Sequence, residues 1–257
     1  MARQRTRAAG DSKHPAGIQL RRGNQILKLL PAAAFEAALS WLDLVELKAG
    51  ETLYEPGDDI THAFLPLDGA VIGLNLLLKD GRALEAATIG REGAFGAIVS
   101  VPVPAFPRTM VQLAGRAARI PVGRLEAIKR SHPKVHDVFT RYTDCLLAQI
   151  LQAVVCNAAH PLEARYARWL LLAQDRARSR DLFVTQEILA ERFGVARTYL
   201  TRVAADLQRR GAISYQRGQI HIHNRAILHG VACECYETVR SHFDRILPGL
   251  YPSEEPQ

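Results

Sequence analysis

The residues best equipped for chemistry lie in FGVARTYLTRVAADLQRRG, residues 193–211, where Arg197, Thr198, Thr201, Arg202, Gln208 and Arg209 stand opposite Leu200, Val203, Ala204 and Leu207. The apolar set recurs at the i, i+3, i+4, i+7 spacing of one buried helix face, so the polar set is offered outward. Guanidinium forks pair in bidentate fashion with guanine O6 and N7, threonine hydroxyls reach bases or phosphates, and both groups suit a polyanion. Arg217, in the turn pair Arg217-Gly218, adds another cation nearby. A second group is Arg108-Thr109, a guanidinium followed by a hydroxyl, which suits an anionic phosphate.

The first group needs two short helices and a hairpin to position it. Thr185 can cap a helix through Gln186, Ile188, Leu189 and Phe193, and Gly194 supplies a tight turn before the arginine-rich helix. Two helices joined in this way form a helix-turn-helix, whose second helix enters the DNA major groove amino end first. On that geometry Thr185, Gln186, Arg197, Thr198, Thr201 and Arg202 are the candidate DNA-binding residues. Downstream, AISYQRGQIHIH alternates Ile213 and Tyr215 with Ile220 and Ile222 about Arg217-Gly218, the pattern of a β-hairpin wing.

From Val45 to about Arg119 the pattern changes to short apolar runs punctuated by Gly50, Pro56-Gly57-Asp58-Asp59, Asp68-Gly69, Asp80-Gly81 and Gly90. Turn signals at that spacing indicate an antiparallel sandwich or barrel, and a β-roll fits. A long helix should follow, with Ser131 and Pro133 at its start and Val138, Tyr142, Leu146, Ile150 and Val154 as a candidate dimer interface. His160-Pro161 marks a hinge, and LEARYARWLLLAQDRA reads as a further helix of the carboxy-terminal domain. The expected organisation is a basic, disordered arm over 1–24, a β-roll over 25–130, a dimerisation helix over 131–157, a winged helix-turn-helix over 158–224, and a helix and tail over 225–257.

The stretch TQEILAERFGVARTYLTRVAADLQRRGAISYQRGQIHI resembles the winged helix-turn-helix of the Crp/Fnr family of bacterial transcription regulators. CECY, Cys233 to Tyr236, resembles a branch of that family with an extra carboxy-terminal helix. KAGETLYEPGDDITHAFLPLDGAVIGL is similar, more loosely, to the opening of the family's cyclic-nucleotide-binding domain. The resemblance implies an α+β chain: an amino-terminal jelly-roll domain, a long dimerisation helix and a carboxy-terminal winged helix-turn-helix. It implies a cytoplasmic homodimer that binds a two-fold symmetric site on double-stranded DNA and works with RNA polymerase. The alternative is a small-molecule receptor whose output is not DNA binding. Family members that bind cyclic nucleotide hold the ribose with a carboxylate after a glycine and the phosphate with an arginine and a hydroxyl. Arg108-Thr109 matches the second element, whereas the first reads Gly90-Arg91-Glu92-Gly93-Ala94, with alanine after the second glycine. Glu92, Gly93, Arg108 and Thr109 are thus the candidate effector residues of a degenerate site, and the effector is unknown.

Other chemistries find little support. The chain has 257 residues, room for two modest domains, and a formal net charge of +7, which suits a polyanionic partner. Its amino terminus lacks the apolar core of a signal peptide, and its longest apolar stretch, Cys145–Ala159, is too short and too polar for a membrane span. Ser131-His132-Pro133-Lys134 has S-x-x-K spacing without companion motifs and reads as a helix cap. A metal enzyme in the roll would need converging histidines, but His62 stands alone between Val45 and Leu125. No enzyme activity, cofactor or metal is expected. An iron-sulphur sensor of the Fnr kind needs cysteines near the amino terminus, and none precedes Cys145. His221, His223, His229, Cys233 and Cys235 are the one group with metal-ligand chemistry, and C-x-C is not the usual zinc spacing, so packing under the last helix is the expected role.

Overall fold

The structure is a computed structural model that describes residues 15–251. Three short helices open it: α1 (Pro15–Gly23), α2 (Gln25–Leu29) and α3 (Ala32–Leu39). Part of the expected disordered arm is therefore helical, and residues 1–14 lie outside the described chain. The arm is fixed at Asn24, whose side chain accepts from Leu27 N to cap α2 and donates to the carbonyls of Pro66 and Gly93, both at 2.9 Å.

Seven strands then make the roll: β1 (Asp43–Leu47), β2 (Thr52–Tyr54), β3 (His62–Pro66), β4 (Val71–Leu77), β5 (Ala83–Ile89), β6 (Arg108–Leu113) and β7 (Gly115–Pro121). They form two antiparallel sheets, ordered β1-β7-β3 and β2-β6-β4-β5. Registers such as Leu65↔Ala118 and Ile72↔Val111 turn Phe64, Ile72, Ile89, Val111 and Ile120 into one core. The β4–β5 hairpin closes at Asp80-Gly81, where Gly81 has φ 86°, a left-handed conformation open to glycine. The first residues of β4 are buried without alternation, because this strand is covered on both faces: Val71 and Leu113 belong to the carboxy-terminal core, whereas Ile72 and Val111 belong to the roll.

Helix α4 (Val122–Ser131) ends with Ser131 Oγ donating to the carbonyls of Ala127 and Ile128, so this serine closes one helix rather than starting the next. The 27-residue helix α5 (Pro133–Ala159) begins with proline at its first position, where the absent N–H costs nothing. Its face of Val135, Phe139, Tyr142, Cys145 and Leu146 is built into the roll's own core. Tyr142 and Leu146, expected at a subunit seam, are therefore interior residues, and Val138 and Ile150 are half-buried against the same core. The face left to solvent carries Leu147 (54% exposed), Leu151 (59%), Val154 (64%) and Val155 (55%). Periodicity identifies the helix, but the roll claims the stripe that periodicity favours.

After His160-Pro161 come α6 (Leu162–Ala177), β8 (Asp181–Phe183), α7 (Gln186–Phe193), α8 (Arg197–Arg209), β9 (Ile213–Gln216), β10 (Gln219–Ile222), α9 (Arg225–Val231) and α10 (Cys235–Ile246). Their core centres on Tyr166, Trp169, Leu170, Leu189, Leu200, Leu207 and Ile220. Among the described residues no helix is long and apolar enough to cross a membrane.

Candidate nucleic-acid interface

Thr185 caps α7 as its sequence implies, its Oγ1 accepting from Ile188 N at 3.3 Å. Gly194 ends α7 with φ 65°, and its N–H closes on the carbonyl of Glu191 at 3.0 Å. A Cβ there would meet only the mobile methyl end of Leu84 of the roll, so it is the left-handed backbone that calls for glycine. The two helices of the motif are fixed to each other where Thr201 Oγ1 lies 2.7 Å from Gln186 Oε1, to which it donates. The buried face of α8 is Leu200, Val203, Ala204 and Leu207, as the spacing predicts.

Arg197, Thr198, Thr201 and Arg202 are exposed along the first two turns of α8. The arginines around this motif divide into two sets. Arg209 pairs with Asp206 and Arg210 with Glu163, each at 2.7 Å, while Arg192 is buried against Glu85 and hydrogen-bonded to Gln112 Oε1. Arg197, Arg202 and Arg217 have no carboxylate partner among the described residues. Arg202 lies over the ring of exposed Tyr199, 5.5 Å from its centroid, which orients the guanidinium without neutralising it. The result is an outward surface of uncompensated cations and hydroxyls beginning at a helix amino terminus, which favours anions.

The wing is a three-stranded sheet ordered β8-β10-β9, and β8 was not anticipated from the sequence. Its hairpin turns through Arg217 (φ 49°) and Gly218 (φ 82°), the two positive values that a two-residue turn of the primed class requires. Exposed Arg217 thus sits at the wing tip. His221 bonds Asp181 at 2.8 Å and His223 bonds Ser214 at 3.0 Å, so neither joins Cys233 and Cys235. His229 lies against Tyr236, with ring centroids 5.2 Å apart.

Most of the candidate effector residues are engaged with other parts of the protein. Glu92 is 3% exposed and faces Arg176 of α6, with Nε to Oε1 at 2.8 Å, while its Oε1 also accepts from Gly90 N. Arg176 donates as well to the Thr88 carbonyl at 3.1 Å and to Gln149 Oε1 at 3.2 Å. Burial would pull this guanidinium down, but the carboxylate beside it prevails and raises its pKa. Gly90 is needed for close approach, since a Cβ there would overlap the Arg176 stem. Gly93 donates its N–H to Gly90 and lies against Tyr142. Arg108 instead pairs with Glu55 at 2.8 Å, and Thr109 on the next position of β6 is fully buried, its hydroxyl unpartnered. The carboxylate read as an effector contact links the roll to α6 through Arg176, which also reaches α5 at Gln149.

Comparison with known proteins agrees with this geometry. Residues 164–230 match the family model of the Crp-like helix-turn-helix domain. The global nitrogen regulator of Synechocystis sp. is 23% identical over 189 residues, covering 69% of this chain and 83% of that protein. Among solved structures, FixK2 from Bradyrhizobium japonicum aligns with a TM-score of 0.64 at 18% identity, over 75% of this chain and 98% of that one. A putative Crp/Fnr-family transcriptional regulator from Eubacterium rectale gives 0.59 at 19% identity, over 79% and 94%. A CRP-family regulator from Thermus thermophilus gives 0.59 at 21% identity, over 73% and 96%. Residues 164–230 thus form a Crp-like helix-turn-helix domain, carried on a chain that shares the fold of these Crp/Fnr-family structures.

Proposed function

We propose that the protein is a homodimer that reads a two-fold symmetric double-stranded DNA site, with one α8 in the major groove of each half-site. The observation that carries this reading is the exposed set of Arg197, Thr198, Thr201 and Arg202 on α8, with Arg217 at the wing tip, the three arginines having no carboxylate partner among the described residues. Thr185 and Gln186 begin α7, where a helix amino terminus suits a phosphate. The exposed stripe of Leu147, Leu151, Val154 and Val155 supports pairing of α5 with its copy, because an apolar ridge two turns long is costly to leave in water. The protein works by binding rather than catalysis, in the cytoplasm where it meets DNA, with RNA polymerase as a further partner.

The test is a gel shift of the full chain against genomic fragments at moderate salt, with unrelated duplex as competitor. Specific binding should exceed non-specific binding by about 10³–10⁷-fold. Equal competition by unrelated duplex would leave a receptor without DNA output as the function.

A further inference from the structure

The sequence predicts that the cysteines are small apolar packing residues, but three of the four lie outside both hydrophobic cores. Cys156, Cys233 and Cys235 form their own buried cluster, whose packing neighbour is Ala164 at the start of α6. They come from places far apart in the chain. Cys156 is on the last turn of α5, while Cys233 and Cys235 flank the bend into α10. His160, the residue that ends α5, joins them: its N–H bonds the Cys156 carbonyl, which holds its ring beside the thiols.

The donor atoms of Cys156, His160, Cys233 and Cys235 all lie within 4.8 Å of one another. Cys156 Sγ is 3.5 Å from Cys233 Sγ, and Cys235 Sγ is 3.5 Å from His160 Nδ1. In a tetrahedral zinc site with metal–sulphur bonds of about 2.3 Å and metal–nitrogen bonds of about 2.0 Å, ligand atoms are separated by about 3.5–3.8 Å. The donor set is thus close to coordination distance without backbone movement.

Three features around the cluster fit a cation held by thiolates. Glu234 Oε1 is 3.2 Å from His160 Nε2, so Nε2 can donate its proton to the carboxylate and leave the Nδ1 lone pair aimed at the thiols. Gln152 Nε2 donates to Cys235 Sγ at 3.1 Å, a bond that favours the charged sulphur. Arg165 and Arg168, on the face of α6 that Ala164 shares, each bury an Nε without a partner, and both interact electrostatically with these thiols. A divalent ion with three thiolates carries one net negative charge, which two guanidiniums offset.

We propose that Cys156, His160, Cys233 and Cys235 bind one zinc ion in a tetrahedral Cys₃His site that clamps the end of α5, the hinge and α10 together. Binding releases the thiol protons to solvent. The C-x-C spacing works because the bend between α9 and α10 turns both sulphurs to one side, while the other two ligands arrive from α5. A closed site of this kind is structural, with no open position for substrate.

The full chain, purified under reducing conditions without chelator, should contain about one zinc per chain by elemental analysis. Cobalt added to the metal-free chain should give thiolate charge-transfer absorption together with the visible bands of tetrahedral coordination. Cys235→Ser should abolish stoichiometric zinc. Glu234→Gln, at a solvent-facing position that leaves the fold intact, should weaken zinc affinity by about 10–100-fold. The proposal fails if the chain is purified without zinc and takes up neither zinc nor cobalt. It fails equally if mass analysis finds a Cys156–Cys233 disulphide, if an iron-sulphur cluster occupies the cysteines, or if Glu234→Gln leaves affinity unchanged.

Discussion

At the scale of single residues, the arginines of the motif show why charge alone does not define an interface. Arg192, Arg209 and Arg210 carry the same guanidinium group as Arg197 and Arg202, but each is already committed to a carboxylate. Arg202 has no such partner among the described residues and is steadied by Tyr199, so it can offer its fork to a guanine. Arg202→Ala should cost about 1–3 kcal/mol in specific binding and relax preference at one position of each half-site, read by selection on randomised duplexes. Arg217→Ala should instead weaken all sequences alike and reduce the magnitude of the salt slope by about 0.9 for each phosphate that is no longer neutralised. If Arg202→Ala keeps the full wild-type preference, that residue grips backbone.

At the scale of elements, α5 has two apolar faces with different owners. The roll takes Phe139, Tyr142 and Leu146, and solvent meets Leu147, Leu151, Val154 and Val155. Of the five residues expected at the seam, Val154 alone lies on the exposed face, with Val138 and Ile150 at the border. Leu151→Glu should therefore produce monomers in sedimentation with a melting temperature near that of a folded chain, because its carboxylate is solvated once the partner leaves. Leu146→Glu should unfold the roll, since it buries a carboxylate in the hydrocarbon core. An intact Leu151→Glu dimer would move the seam off α5. DNA affinity should fall as dimerisation is lost, because paired half-sites are engaged together.

At the scale of the whole molecule, the roll and the DNA-binding domain share both an apolar seam, through Val71 and Leu113, and two buried ion pairs, Arg176–Glu92 and Arg192–Glu85. A cyclic nucleotide would find Glu92 already neutralised and Arg108 paired with Glu55. Cyclic AMP or cyclic GMP should thus leave the melting temperature unchanged. A ligand at about 100 times its dissociation constant would stabilise by about 2.7 kcal/mol, which a thermal shift detects. Such a shift, abolished by Arg108→Ala, would restore Arg108 and Thr109 as a phosphate site.

The helix-turn-helix was legible in the sequence because its information is local. A threonine cap, an apolar face of period 3.6, a left-handed glycine and a two-residue hairpin turn each act within a few residues, and all agree over residues 185–222. The roll was legible in outline for the same reason, through its turns. Which face of α5 would be buried was not legible, because Leu146 and Leu151 are equally apolar and only the roll's position distinguishes them. The role of Glu92 could not be read either, since its partner Arg176 is 84 residues away and reaches it only when α6 packs on the roll. The cysteines make the same point: Cys156 and Cys233 are 77 residues apart, and no spacing rule links them until α10 folds back on α5. Local sequence determined the helix-turn-helix and its hairpin, while the partners of buried charges, thiols and apolar faces were decided by tertiary packing, because burial belongs to the assembled chain and not to any segment of it.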